Sequence, residues 1–389
     1  MEVKQLASLV NEALKETTGV EALVAEDLSD LVDAGDAVMN AGAYDNYGRS
    51  ISNVIGRNIF VSRPYEGRVP SMRKDAWTYG SIVRKIRVVP KDAEENETWN
   101  LTPGASYDPN IFSPAETHEK FFNKRTTFQI PISLTEIQIR ESFQNAEQLN
   151  AFVEMIERMI LNSLTKATEN LALRTLNNFT AETIYADYAG AALSSKSGIK
   201  AVNLLYKYNN EANTSGTTLT VAKALFDPAF IRYASLQMRQ YAGKLRSWSK
   251  LFNIGATDKF TPESRLRTYL LDVFESAAAV YLYNGVGQFK DEELVLPKAE
   301  TVAYWQGSGT DFAFSSISKI NVTTTEGHSV EASGILGIMM DEEAAMICND
   351  QKRVTTGYNP VGEFYNYWHK QDCQYLNDFD EQYVVFFIA

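Results

Sequence analysis

The chain has 389 residues, 44 % of them apolar and 22 % charged, an ordinary globular composition with length for two or three domains and a sizeable core. The net charge of −12 argues against a nucleic-acid binder that works by electrostatics. Two cysteines, Cys348 and Cys373, are too few for a disulfide scaffold, and no apolar run approaches the roughly 18 residues of a membrane span.

From the N-terminus, residues 1–40 read as amphipathic helix broken near Thr17-Thr18-Gly19, with Leu6, Leu9, Val10 and Leu14 on one side. Residues 42–58, rich in Gly, Asn and Ser, read as a linker. Charge then changes sign. Residues 1–48 hold ten acidic and two basic side chains, a net of −8; residues 49–91 hold ten basic and two acidic, a net of +8. Within the basic stretch, 59–62 and 81–89 are strand-like, and Ile82, Ile86 and Val88 alternate imperfectly with Arg84, Lys85 and Arg87, as in a strand with one wet face. Pro64, Gly67 and Pro70 lie between them. The pattern predicts a basic β-hairpin with a long tip carrying Arg63, Arg68, Arg73 and Lys74 and little apolar surface to bury.

Residues 92–117, with three prolines, read as loop, and Phe128, Ile130 and Ile132 alternate along an edge strand marked by Pro131. The strongest helix is expected at 145–178, where Phe152, Ile156, Ile160 and Leu164 lead an apolar stripe at spacings of three and four. Residues 190–220 read as loop. Asp227-Pro228 opens a helix closed by Gly243, and Thr261-Pro262-Glu263 opens another that carries Leu266, Leu270, Val273 and Phe274 inward to Asn284-Gly285. Residues 286–340 read as strands and loops. "YVVFFIA" is apolar on both faces, the mark of a central buried strand. The sum is an α+β chain.

Catalytic constellations are scarce. No phosphate loop, nucleotide fingerprint or nucleophile elbow is present, and none of the three histidines stands in a metal pattern. His369 and Cys373 sit four apart on a strand-like stretch, too far to share one ion. Asp341-Glu342-Glu343 reads as a solvated turn before it reads as a Mg²⁺ site. No cofactor and no metal is expected, and a structural protein is favoured over an enzyme.

The layout, an N-terminal arm, a basic extended hairpin, an edge strand feeding a very long helix, an α+β insert and a return through C-terminal strands, resembles the Hong Kong 97-type major capsid proteins of tailed bacteriophages. The stretch "AAMICNDQKRVTTGYNPVGEFYNYWHKQDCQYLNDFDEQYVVFF" is similar to the C-terminal region of the phi-29 group of short-tailed phages in its acidic turn, Asn-Pro-x-Gly, Tyr-Asn-Tyr and final apolar strand.

The resemblance implies an N-terminal arm at 1–58, an E-loop at 59–89, a peripheral (P) domain at 90–200 built on a spine helix, an axial (A) domain at 201–347, and return strands at 348–389, mainly in the P-domain. Phe364, Tyr365, Tyr367, Trp368 and Tyr375 would form an aromatic P-domain strand, with Tyr365, Tyr367 and Tyr375 on one face. Arg63, Arg68, Arg73 and Lys74 would meet acid on another subunit. The implied function is self-assembly, as hexamers and pentamers, into an icosahedral shell in the host cytoplasm. The shell would enclose double-stranded DNA without sequence-specific contact, with scaffolding, portal and decoration proteins as further partners. An encapsulin-type compartment shell shares this fold, and a glycan-binding or glycan-cleaving protein remains open on tyrosine content.

Overall fold

The computed structural model describes residues 69–74, 83–107, 109–110, 112–135, 146–213, 216–282, 298–303, 307–308 and 319–389, with Asn11, Leu296 and Trp305 as single positions. The N-terminal arm expected at 1–58, apart from Asn11, lies outside the described residues, as do Arg63 and Arg68.

In chain order β1 (Arg73–Lys74), β2 (Val83–Val88), β3 (Thr117–Phe122) and β4 (Arg125–Thr135) lead into the helix α1 (Ala146–Tyr188). There follow β5 (Ala201–Asn203), α2 (Pro228–Leu245), β6 (Leu266–Leu271), α3 (Asp272–Leu282), β7 (Ala299–Val302), β8 (Gly307–Ser308), β9 (Lys319–Thr323) and β10 (Ser329–Ser333). The chain closes through β11 (Ile335–Asp341), β12 (Ala345–Asn359), β13 (Phe364–Asn377) and β14 (Tyr383–Phe387). Two sheets carry the fold: four strands in the order β1-β12-β13-β4 and five in the order β5-β14-β11-β6-β7. Smaller sheets pair β2 with β3 and β10-β9-β8.

α1 has 43 residues, about 65 Å at 1.5 Å per residue. Ile156, Ile160 and Leu164 are buried; Phe152 is on the helix, with its side chain outside the described residues. The helix runs ten residues past the expected end at 178. Asn177 and Asn178 are weak helix formers, but Phe179, Ile184 and Tyr188 continue the apolar stripe into the core, and that burial outweighs local propensity. Thr168, Thr175, Thr180 and Thr183 satisfy their buried hydroxyls by donating to the carbonyl four residues back, at 2.7–2.8 Å. Ala189 and Gly190, at φ of 49° and 82°, then turn the chain out of the helix.

The five-stranded sheet holds the densest core. β14 lies between β5 and β11 with all five residues buried, as its two-faced apolar pattern predicts. Phe179 of α1 stacks on Phe379 with centroids 5.0 Å apart and meets Tyr383 edge-on at 4.5 Å. The helix expected from Thr261 onward is corrected: Leu266–Leu271 is a strand paired to β11 and β7, and only Asp272–Leu282 is helical. An apolar stretch buried on both faces has no reliable period, so helix spacing and strand spacing both fitted it. The other helix start held: Asp227 caps α2 by accepting from the amides of Ala229 and Phe230 at 2.8 and 3.0 Å.

In the four-stranded sheet β12 and β13 form a long antiparallel hairpin. Asn359 makes its turn by accepting from the amides of Val361 and Gly362 at 3.0 and 3.2 Å. Along β13, Tyr365, Tyr367, His369, Gln371 and Cys373 are buried while Phe364, Trp368, Lys370 and Asp372 are half-buried. Past Cys373 both faces close, because Met346, Cys348 and Leu376 pack under Val83 and Phe122 of the β2–β3 hairpin.

Residues 69–74 overturn part of the hairpin expectation. In place of an open tip, Val69 and Met72 are buried in the main core and the Ser71 hydroxyl lies 2.8 Å from that of Tyr269. Arg73 and Lys74 then extend the four-stranded sheet, parallel to Ile347 and Cys348 of β12. Two apolar side chains and a backbone ladder dock a stretch whose composition is mostly polar.

Candidate functional site

Asp341, Glu342 and Glu343 are neither a solvated turn nor an open cation cage. Arg267 pairs with Glu342 at 2.5 Å, Lys74 with Glu342 at 3.8 Å, Lys85 with Glu343 at 3.4 Å, and Arg265 with Glu343. Four cations already neutralise the turn. Among the described residues no group of three or more His, Cys, Asp and Glu is placed to hold a metal ion. His369 is buried on β13, and burial lowers its pKa, which keeps it neutral. Cys348 and Cys373 are buried and not disulfide-bonded.

The unusual part of the molecule is the β2–β3 hairpin. Val83, Lys85 and Arg87 face inward and are half-buried, whereas Arg84, Ile86 and Val88 are exposed. From Lys85 onward the faces are exchanged: Lys85 and Arg87 point in, while Ile86 and Val88 point out alongside Arg84. The cause lies in the link between β13 and β14. Asp378 is fully buried there, with Asp380 and Glu381 beside it. Lys85 reaches Asp378 at 2.9 Å and Glu381 at 3.2 Å, Arg87 reaches Asp378, Asp380 at 3.1 Å and Glu381 at 2.6 Å, and Lys120 of β3 reaches Asp380 at 2.5 Å. Lys259 adds a fourth cation, 2.7 Å from Glu381. Lys85 and Lys120 stand directly opposite each other across the hairpin, an arrangement that repels unless anions sit between them, as Asp378 does. Burial raises the Asp378 carboxyl pKa, but Lys85, Arg87 and Lys120 outweigh it and hold that pKa below the usual range. Burial likewise lowers Lys85, and Asp378 and Glu381 more than reverse it.

This cluster fixes the hairpin root to the segment that joins the two large sheets. Beyond the root, residues 89–116 connect β2 to β3 with one short helical turn at Glu97–Trp99. Its described residues are exposed apart from the half-buried Val89, with Trp99 at 99 % and Phe112 at 87 % exposure and Leu101 and Tyr107 also open. On the outer face of the hairpin Ile86, Val88 and Phe121 are exposed too. So many exposed large apolar residues on one hairpin mark a contact surface more than a catalytic one. In the sequence its prolines mark it as loop, and its one signal is large aromatic residues inside a stretch with no strand or helix to bury them.

The basic residues named from sequence fall in two places. Arg73 and Lys74 lie in β1 on the chain's own sheet, and Arg63 and Arg68 lie outside the described residues. The aromatic residues come together on β13. Tyr365 and Tyr367 are buried, Phe364 and Trp368 are half-buried, and Tyr375 packs on the main core with the Arg174 guanidinium of α1 5.3 Å from its ring centre.

Comparison with known proteins places these features. The profile of the family described as Phi29-like phage major capsid protein matches residues 6–387. No curated protein matches the sequence. Among solved structures, the capsid of Staphylococcus phage Andhra aligns at a TM-score of 0.51 and 9 % identity, covering 84 % of this chain and 86 % of that one. A chain from the structure of the head fiber and inner core protein gp22 of native bacteriophage P68 aligns at 0.48 and 8 %, covering 82 % and 83 %. The asymmetric unit of the bacteriophage PhiM1 mature capsid aligns at 0.42 and 10 %, covering 84 % and 89 %. At such identity the Andhra match shows a shared fold and nothing finer.

Proposed function

The chain belongs to the Phi29-like phage major capsid protein family, and from that premise we propose how it does its work. It is a virion component of a tailed phage, α+β in the Hong Kong 97-like manner, whose copies assemble into the shell around the genome. The family match decides between the phage shell and the compartment shell that shares its fold.

In the proposed arrangement the work is geometric, with no reaction catalysed. Flat subunits form hexamers and pentamers in the host cytoplasm, built with scaffolding, portal and decoration proteins. The four-stranded sheet and α1 serve as the P-domain and the five-stranded sheet with α2 and α3 as the A-domain; residues 1–58 form the arm, and the E-loop expected at 59–89 is instead the β2–β3 hairpin, because 83–88 pairs with 117–122. Arg63 and Arg68 contact acid on a neighbouring copy, whereas Arg73 and Lys74 are held in β1, where Lys74 pairs with Glu342 of its own chain. The net charge of −12 suits a container that encloses DNA without gripping it. Among the described residues no helix is long and apolar enough to cross a membrane.

The observation that carries this reading is the full-length family match joined to an arm whose root is locked and whose outer face is bare. Electron microscopy of the full chain expressed with its phage's assembly proteins tests it. Closed shells with five- and six-fold capsomers are expected. A population that remains soluble monomer under those conditions would overturn it.

A further inference from the structure

We propose that residues 69–74 form a releasable clasp between the two large sheets, with Ser71 as its latch and the Glu300 carboxyl as a proton-sensitive seat. The clasp belongs to the single chain and would stand whatever the chain assembles into.

Six residues reach both sheets. Toward the five-stranded sheet, the Ser71 amide donates to Glu300 Oε1 of β7 at 3.2 Å, and the Ser71 hydroxyl lies 2.8 Å from the Tyr269 hydroxyl of β6. Tyr269 and Glu300 are paired residues on those neighbouring strands, so one serine engages one register position with both its amide and its hydroxyl. Toward the four-stranded sheet, Arg73 and Lys74 run parallel to Ile347 and Cys348 of β12. The local sequence supplies the change of direction. Pro70 opens a single helical turn over Pro70–Met72, Met72 donates its amide to the Val69 carbonyl at 3.3 Å, and Arg73 returns to extended backbone. Val69 and Met72, three apart around that turn, both enter the main core.

The forces that hold the clasp are few and local, so it can open without the rest of the fold. Two apolar side chains, a two-residue ladder and the hydrogen bonds of one serine secure it, whereas β14 is buried along all five of its residues. The seat is also incompletely satisfied. Glu300 Oε2 is buried, and among the described residues no donor reaches it. The ionisable groups around the seat, among the same residues, are Tyr269 and Arg267 of β6, Glu342 after β11 and Lys74 of β1. Arg267 pairs with Glu342 at 2.5 Å, and Lys74 lies 3.8 Å from the same carboxylate, so the Arg267 charge is shared with another acid. Burial raises the Glu300 pKa above its ordinary 4.5, against the opposing pull of the Ser71 hydrogen bonds and of Arg267. Burial also raises Tyr269, which stays a neutral hydroxyl. A closed-state value above the solvated one means that the proton favours closure. The contribution of Glu300 to the closed clasp is full below 4.5 and is lost as pH rises through the raised value.

The test uses the full chain. Val69→Cys places a thiol of similar size at the buried end of the clasp, with the buried Cys348 and Cys373 as internal controls. Labelling by dithiodipyridine, which reacts in acid, is followed in the native chain from about pH 4 to about pH 7 and corrected against a free-thiol peptide. The new thiol should react while Cys348 and Cys373 stay silent, and its corrected rate should rise with pH. Ser71→Ala should raise that rate roughly tenfold, because the Tyr269 hydroxyl is left buried and unpaired, and adding Tyr269→Phe should recover most of the loss. Glu300→Gln keeps an acceptor for the Ser71 amide and should abolish the pH dependence. A new thiol that reacts only in step with Cys348 and Cys373 would overturn the clasp, and so would a rate unmoved by Ser71→Ala or by pH. If Val69→Cys fails to fold, hydrogen exchange of the wild-type chain provides the second measurement. Peptides over residues 69–74 should exchange roughly tenfold faster than those over β14, and equal rates for the two would overturn the proposal.

Discussion

The two ends of the β2–β3 hairpin solve opposite problems. At its root Lys85, Arg87 and Lys120 give up water to surround Asp378, Asp380 and Glu381, and each charge finds its partner within the chain. At its tip Asp92, Glu94, Glu95 and Glu116 are exposed together with Trp99, Leu101, Tyr107 and Phe112, and among the described residues no cluster like that of the root holds them. The root spends charge on holding an angle; the tip leaves surface open for another molecule. One hairpin thus joins an element of subunit stability to an element of assembly, and substitutions should separate the two.

The largest effect is expected from Asp378→Ala. Removing the anion leaves Lys85, Arg87 and Lys120 around a buried gap, a change that costs about 3–5 kcal/mol. Denaturant unfolding of the isolated subunit should show that loss, and a midpoint equal to wild type would mean that the cluster does not hold the root. Acid should weaken the same contact reversibly. The folded Asp378 lies below its ordinary value of 3.8, so its stabilisation is present above that value and fades as pH falls through the lower folded one. Lys85 lies above its ordinary 10.5, so its share is present below 10.5 and fades only as pH rises through the higher folded value. Subunit stability measured against pH should therefore be flat between the two ranges where this pair is concerned, and Asp378→Asn should remove the acid limb.

A smaller loss follows Phe122→Ala. Phe122 is half-buried against Met346, Cys348 and Leu376, so about 1–2 kcal/mol is expected, less than the 3–5 of a fully buried phenylalanine. The smallest effect on the subunit comes at the tip. Trp99→Ala should change its stability by no more than about 0.5 kcal/mol, because the side chain is exposed. Shell yield should nevertheless fall. Raising salt to about 1 M, where screening shortens to about 3 Å, should likewise lower assembly while leaving the root intact. A Trp99→Ala subunit that is destabilised as much as the Phe122→Ala one would erase the distinction between root and tip.

How far the sequence discloses this depends on whether the signal is local. α1, the Asp227 cap, the buried β14 and the aromatic β13 each announce themselves within a dozen residues by spacing or by a capping residue. Elements set by distant partners do not. β6 takes its strand form from β11 and β7, residues 69–74 are held by a core made from the other end of the chain, and Lys85 faces inward only because Asp378 lies 293 positions later. The basic character of 49–91 is plain in the sequence, but an alternation of Arg and Ile says nothing about which face is wet until the buried anion is known. The exposed tip was legible in part, as aromatic residues with no periodic element to bury them.

The most direct test of the whole account is a reconstruction of assembled particles by electron cryomicroscopy. The root should appear as here, with Lys85 and Arg87 on Asp378 of the same chain, and the exposed tip should lie against a neighbouring copy. Density that folds residues 89–116 back onto their own chain, or a root detached from Asp378 in the finished shell, would contradict it.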